Sequence, residues 1–215
     1  MNDAKAPFIV FEGGDGAGKT TQLTLASGWL SALGHPHITT REPGGTAVGE
    51  AIRSVVLSKS DLEMPPQSEL FLILAARAAF VRDVVRPALD AGTTVLADRF
   101  SLSTLAYQGY GRGLDLDEVR AAIDIATGGL TPDLYIVLDV PVEEGRARQA
   151  SSGQGDDRIE REGAAFREAV RDGYLALKKT DKHVAVIDGR GAAEDVHARV
   201  RATIEARFPT VFGRP

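Results

Sequence analysis

Five short apolar runs recur along the chain, at PFIVFE (7–12), HITT (37–40), TTVLAD (93–98), LYIVLDV (134–140) and HVAVID (183–188), with longer amphipathic stretches between them. Runs that are apolar on both faces and separated by helix-length segments predict a parallel sheet of about five strands covered by helices on both sides. The fold class is therefore α/β with three layers, and ligands are expected at the carboxyl ends of the strands. The first run ends in glycines, which reads as a buried strand feeding a tight loop, and residues 18–33 continue as a helix. A further helix is expected over 67–82. The segment SSGQGDD (151–157) is of low complexity and reads as a mobile loop between two helical stretches, because strand-like and helical patterning resumes after it. No internal repeat is present, and one domain over residues 1–215 is the expectation.

Composition narrows the classes. The 215 residues are 43% hydrophobic and 26% charged, the balance of an ordinary globular protein. A net charge of -5 supplies no overall attraction to a polyanion, so no nucleic-acid partner is expected. With no cysteine, disulfides, thiolate metal ligands and a cysteine nucleophile are excluded. Asp3 and the short apolar stretch Phe8–Phe11 do not make a signal-peptide core or a membrane span, so a cytoplasmic location without a membrane partner is expected.

Gly13-Gly14-Asp15-Gly16-Ala17-Gly18-Lys19-Thr20 fits G-x-x-x-x-G-K-[ST] directly after the first predicted strand and at the opening of the first helix. Glycines let successive backbone N–H groups point inward, and the helix N-terminus adds partial positive charge for phosphate oxygens. Lys19 is expected to reach the β- and γ-phosphates and Thr20 to ligate Mg²⁺. The motif identifies a nucleoside triphosphate site and leaves the phosphate acceptor open. Asp98-Arg99 ends the strand TTVLAD, beside the loop by the carboxyl-end rule. Asp98 is suited either to Mg²⁺ through water or to orienting an acceptor phosphate, and Arg99 to holding that phosphate with its planar fork. A purely structural Asp–Arg pair is the alternative.

A guanine-nucleotide switch would carry an Asn-Lys-x-Asp motif, whereas Asn2 is the sole asparagine here. Arg41-Glu42-Pro43-Gly44-Gly45-Thr46, Asp98-Arg99-Phe100, Ala106-Tyr107-Gln108-Gly109-Tyr110-Gly111-Arg112-Gly113 and Asp157-Arg158-Ile159-Glu160 occur in an order and spacing that resembles the bacterial thymidylate kinases over essentially the whole chain. The resemblance implies a P-loop nucleotide kinase fold with a short lid at about 146–160, transfer of the ATP γ-phosphate to dTMP, Mg²⁺, and a homodimer. It further implies that Asp15 accepts a hydrogen bond from the region of the sugar 3′-hydroxyl and that Arg77 meets the thymine carbonyl. Gln108 would face the pyrimidine edge, and Tyr107 would stand near the sugar C2′. Glu42, Pro43, Arg53 and Thr104 would line the same pocket, with a cis bond before Pro43. Kinases for another nucleoside monophosphate or a deoxynucleoside, and a nucleotide-dependent switch ATPase, are the alternatives.

The chain departs from that family in two places. Where some members carry an arginine after the loop aspartate, Gly16 stands here, so the cation that covers the transferring phosphoryl group is expected from the lid, with Arg146, Arg148 and Arg158 as candidates and Arg158 first. Four residues before Arg77, where a phenylalanine is usual, Ile73 stands, and Phe71 falls on another part of the helix. Thymine recognition is then expected to lean on Arg77 and Gln108.

Overall fold

The computed structural model describes residues 5–58, 63–151, 157–159 and 161–212. Residues 152–156 of the expected lid loop, Glu160, Asn2 and Asp3 lie outside them. In chain order the elements are β1 (Phe8–Glu12), α1 (Lys19–Ala32), β2 (His37–Arg41), α2 (Ala47–Val56), α3 (Pro66–Phe80), a π-helical stretch Val81–Val85, α4 (Arg86–Asp90) and β3 (Thr94–Asp98). Then follow α5 (Ser101–Thr104), a second π-helical stretch Leu105–Gly111, α6 (Leu116–Thr127), β4 (Leu134–Asp139), α7 (Val142–Ser151), α8 (Ala164–Lys178), β5 (Val184–Asp188), α9 (Ala193–Arg207) and α10 (Pro209–Phe212). All strands are parallel and form one sheet in the order β2-β3-β1-β4-β5.

The sheet explains the apolar runs. In β1, Phe8 and Val10 face one layer with Phe80, Phe100 and Tyr174, while Ile9 and Phe11 face the other with Leu23, Leu30, Val200 and Ile204. Alternate residues of a strand point to opposite faces, and here both faces are buried. HITT departs from that expectation: β2 is an edge strand, and its residues are half-buried or exposed because neighbours cover it on one side only. Local signals set the helix ends. Gly18 enters α1 in the left-handed region at φ 92°, Thr46 accepts Gly49 N–H at the start of α2, and Asp115 accepts the N–H groups of Asp117 and Glu118 at the start of α6. Pro65-Pro66 starts α3, and Gly128 closes α6 at φ 57°.

Because β1 is central, the glycine loop after it emerges mid-sheet, with the ends of β3 and β4 on either side. The core under the carboxyl edge of the sheet is tightly specified: Phe8 meets Phe100 edge-to-face with ring centroids 5.0 Å apart. Phe8→Ala is expected to lower stability by about 3–5 kcal/mol, read from urea unfolding; a loss under about 1 kcal/mol would contradict the packing described.

Candidate functional site

The loop between β1 and α1 forms one wall of a cleft of about 780 Å³. Lys19 is buried, and its ammonium donates to the carbonyls of Gly13 at 3.1 Å and Gly14 at 2.9 Å. Burial and the nearby Arg99 guanidinium lower its pKa, while Asp98, Asp15 and Glu12 oppose that fall. Thr20 donates its hydroxyl to Asp98 Oδ2 at 2.9 Å, so two hard oxygen donors meet beside the loop. Among the described residues no cluster of three or more His, Cys, Asp or Glu could hold a metal ion. A Mg²⁺ site needs none, since that ion commonly takes one or two protein oxygens and completes its shell with phosphates and water. Thr20 and Asp98 fit it.

Arg99 is the hub of the cleft. It adopts φ 71°, a left-handed backbone rare outside glycine, and its N–H is tied to Phe11 O at 2.9 Å. Its guanidinium donates to Asp15 Oδ1 at 2.7 Å, Tyr107 OH at 3.1 Å, Ser103 Oγ at 3.2 Å and Gly13 O at 3.3 Å, and sits 4.9 Å above the Tyr107 ring. Tyr107 also donates to Asp15 Oδ1 at 3.1 Å. Burial alone would raise the Asp15 pKa, but Arg99, Lys19, the Tyr107 hydroxyl and Arg167 together hold it below the usual carboxylate value.

Beneath the hub lies Glu12, the last residue of β1 and fully buried. Its carboxylate accepts from Phe100 N–H at 2.9 Å, Ser103 N–H at 3.2 Å, Ser103 Oγ–H at 2.5 Å and Tyr174 OH at 2.9 Å. Burial pushes its pKa up, against the pull of Ser103, Arg99, the Phe100 N–H and Tyr174.

Across the cleft, α3 and the second π-helical stretch supply the other wall. Arg77 is 1% exposed. It donates Nε to Glu42 Oε2 at 2.7 Å and Nη1 to Thr104 Oγ1 at 2.8 Å, with Nη2 also 2.7 Å from Glu42 Oε2. Glu42 Oε1 is buried without a hydrogen-bond partner, and burial raises the Glu42 pKa to about 7 despite Arg77. The bond between Glu42 and Pro43 is cis, and Arg53 donates to Pro43 O at 3.1 Å. Ile73 lines the cleft and is 9% exposed, whereas Phe71 is 64% exposed and is not among the lining residues. Gln108 is buried and donates Nε2 to Glu69 at 2.8 Å.

One cleft thus joins the glycine-rich loop to a buried polar wall of Arg77, Thr104 and Gln108. The family model described as thymidylate kinase matches residues 11–200. The chain belongs to the thymidylate kinase family. A thymidylate kinase of Desulforudis audaxviator is 49% identical over 97% of this chain and 96% of its own. One of Desulfovibrio desulfuricans is 46% identical over 93% and 95%. The crystal structure of thymidylate kinase from Ehrlichia chaffeensis superposes with a TM-score of 0.75 at 30% identity, covering 94% of this chain and 100% of that one.

Within this thymidylate kinase fold, Gly13 to Thr20, Glu42, Pro43, Arg53, Ile73, Arg77, Asp98, Arg99, Thr104, Tyr107 and Gln108 converge on the same edge of the sheet. Of the arginines expected in the lid, Arg148 lines the cleft and Arg158 does not. Arg148 donates to Gly189 O at 3.1 Å and to Glu144 at 2.5 Å. Arg158 instead pairs with Glu69 and donates to Val56 O at 2.9 Å, away from the loop. Gly16 has a steric reason: its φ is 72°, and a Cβ there would lie 2.0 Å from Gly145 O, so α7 leaves no room for a side chain after Asp15.

Sequence reading missed Glu12, Glu69, Arg112 and Arg167. Arg167, from α8, comes within 4.0 Å of Asp15. The one signal available for Glu12 was a charged residue closing an otherwise apolar strand.

The Glu42 pair generates a test. A carboxyl whose folded pKa of about 7 exceeds its ordinary 4.5 binds its proton more tightly in the folded state, so its contribution to stability falls as pH rises through that window. The atom for the proton is the unpartnered Oε1. Relative to Glu42→Gln, the parent protein is expected to lose stability between about pH 4.5 and 7 in chemical unfolding. Parallel stability curves for the two proteins over that range would contradict the assignment.

Proposed function

We propose that this protein transfers the γ-phosphoryl group of ATP to the 5′-phosphate of dTMP, giving ADP and dTDP. The observation that carries the reading is the position of Arg99: it joins the phosphate loop, through Asp15 and Gly13 O, to the acceptor wall, through Tyr107. A cation held there suits an acceptor phosphate facing the donor γ-phosphate. A phosphate oxygen of dTMP forms the new bond to the γ-phosphorus as the bridging bond to the β-phosphate breaks, and ADP departs with that electron pair.

In this reading the loop N–H groups and Lys19 hold the donor phosphates, and Arg99 holds the acceptor phosphate in line. Thr20 and Asp98 would hold Mg²⁺, which when bound shields charge on the donor phosphates. Asp15, kept ionised by its cations, accepts from the sugar 3′-hydroxyl. Tyr107 crowds the sugar C2′, while Arg53, Glu42 and Pro43 shape the rim of the pocket. Arg77 and Gln108 read the thymine edge over the apolar surface of Ile73. Arg148 stands at the donor side as the lid cation nearest the cleft, and Arg158 would have to leave Glu69 to reach the phosphates. Closure of the segment at about 146–160 would exclude water and limit hydrolysis. A homodimer and a cytoplasmic location belong to the same reading; no helix among the described residues is long and apolar enough to cross a membrane.

The test is ADP release measured by a coupled assay across a panel of nucleoside monophosphates. Turnover is expected to depend on the acceptor and to favour dTMP, and Lys19→Ala is expected to abolish nearly all of it while the protein stays folded. ADP release at equal rates with no acceptor, or half the parent turnover in Lys19→Ala, would contradict the proposal.

A further inference from the structure

Glu69, Ile73 and Arg77 recur every four residues on α3 and therefore share one helix face. Glu69 is 1% exposed, yet it is surrounded by donors. It accepts from Gln108 Nε2 at 2.8 Å, from Arg112 Nε at 3.2 Å and Nη2 at 3.1 Å, and from Arg158 Nη2. Burial raises a carboxyl, but these donors outweigh it and hold Glu69 below the usual carboxylate value. An ionised carboxylate accepts hydrogen bonds and donates none. The end of the Gln108 amide that faces it is therefore the NH₂ group. The carbonyl end is left for the cleft that Gln108 lines.

Arg77 has the complementary character. A guanidinium has five N–H groups. Two of its nitrogens, Nε and Nη2, engage Glu42, and Nη1 engages Thr104, leaving one N–H on each Nη outside these contacts in a residue that lines the cleft. Thr104 and Gln108 lie four residues apart on one continuous helical segment, so the Arg77 donors and the Gln108 carbonyl border the same part of the wall. The wall offers donors beside an acceptor.

We propose that Glu69 is a positioning residue that fixes the hydrogen-bond polarity of Gln108, so that the acceptor site selects a pyrimidine with N3–H beside a 4-oxo group over one with an N3 lone pair beside a 4-amino group. This rests on the reading that Arg77 and Gln108 face the acceptor base. The disfavoured base sets its lone pair against the Gln108 carbonyl and its amino group against Arg77, leaving buried polar groups unpaired. Arg112 and Arg158 both pair with the carboxylate, so losing one leaves it a cation. Without the carboxylate, Gln108 is free to turn over and present either end.

The experiment compares kcat/KM for dTMP and dCMP in the parent, Glu69→Gln and Arg112→Ala. A neutral amide at position 69 no longer dictates which end of Gln108 faces it, so Glu69→Gln is expected to narrow the dTMP preference by about tenfold or more, chiefly through KM. Arg112→Ala leaves the carboxylate its Arg158 partner and the Gln108 N–H, so its ratio is expected within about twofold of the parent even as its stability falls. A parent-like ratio in folded Glu69→Gln, or an equal loss in Arg112→Ala, would overturn the inference while leaving dTMP kinase activity in place. A parent that does not use dTMP would overturn the functional reading as well. If Glu69→Gln does not fold, nitrogen-15 spectra of the parent decide, with the Gln108 NH₂ signals assigned by their loss in Gln108→Leu. The NH₂ is expected to stay bonded to Glu69 when dTMP is added, and a rotation of that amide on binding would overturn the inference.

Discussion

The site depends on the buried carboxylate of Glu12. Four hydrogen bonds converge on it, from Phe100 N–H, Ser103 N–H, Ser103 Oγ–H and Tyr174 OH, and they join the end of β1 to α5 and α8. Burying a carboxylate is costly, and only a full set of donors makes it tolerable. The arrangement fixes more than the core. Ser103, which donates to Glu12, accepts from Arg99, so the acid below the sheet edge orients the cation above it. Arg99 keeps its left-handed backbone because its own N–H is bound to Phe11 O and the next residue's N–H to Glu12. The end of β1, Arg99 and α8 are thereby held in one frame.

A second constraint acts from the other side of the loop. Gly16 and Gly145 meet backbone to backbone: a Cβ on Gly16 would strike Gly145 O, and one on Gly145 would come within 2.6 Å of Asp15 O. This close approach carries α7 onto the loop and brings Arg148, one turn further along, to the cleft. The same contact excludes an arginine at position 16. The bare position 16 and the approach of Arg148 to the cleft follow from one backbone contact.

The central strands β1, β3 and β4 were legible because burial on both faces writes a continuous apolar run, while the edge strands β2 and β5 are less fully covered. Lys19 and Thr20 were legible from a local motif, and Asp98-Arg99 from the rule that strand ends face the ligand. Partners of those groups were not. Glu12 meets Tyr174 from 162 residues away, and Arg158 meets Glu69 from 89 residues away, distances over which no local periodicity carries information. Gln108 stood out as a candidate for the pyrimidine edge, but nothing in the sequence linked it to Glu69, whose carboxylate it meets from 39 residues away. The two π-helical stretches, one of which carries Tyr107 and Gln108, also leave no mark on hydrophobic spacing.

In the proposed reaction one cleft binds two nucleotides with their phosphates meeting at Arg99, Lys19 and Asp15. The most direct measurement is calorimetric titration with adenosine and thymidine linked through a chain of five phosphates. Binding is predicted at one molecule per chain, far tighter than ATP or dTMP alone and competed by each of them. Affinity no greater than that of the tighter mononucleotide, or competition by only one of the two, would contradict it.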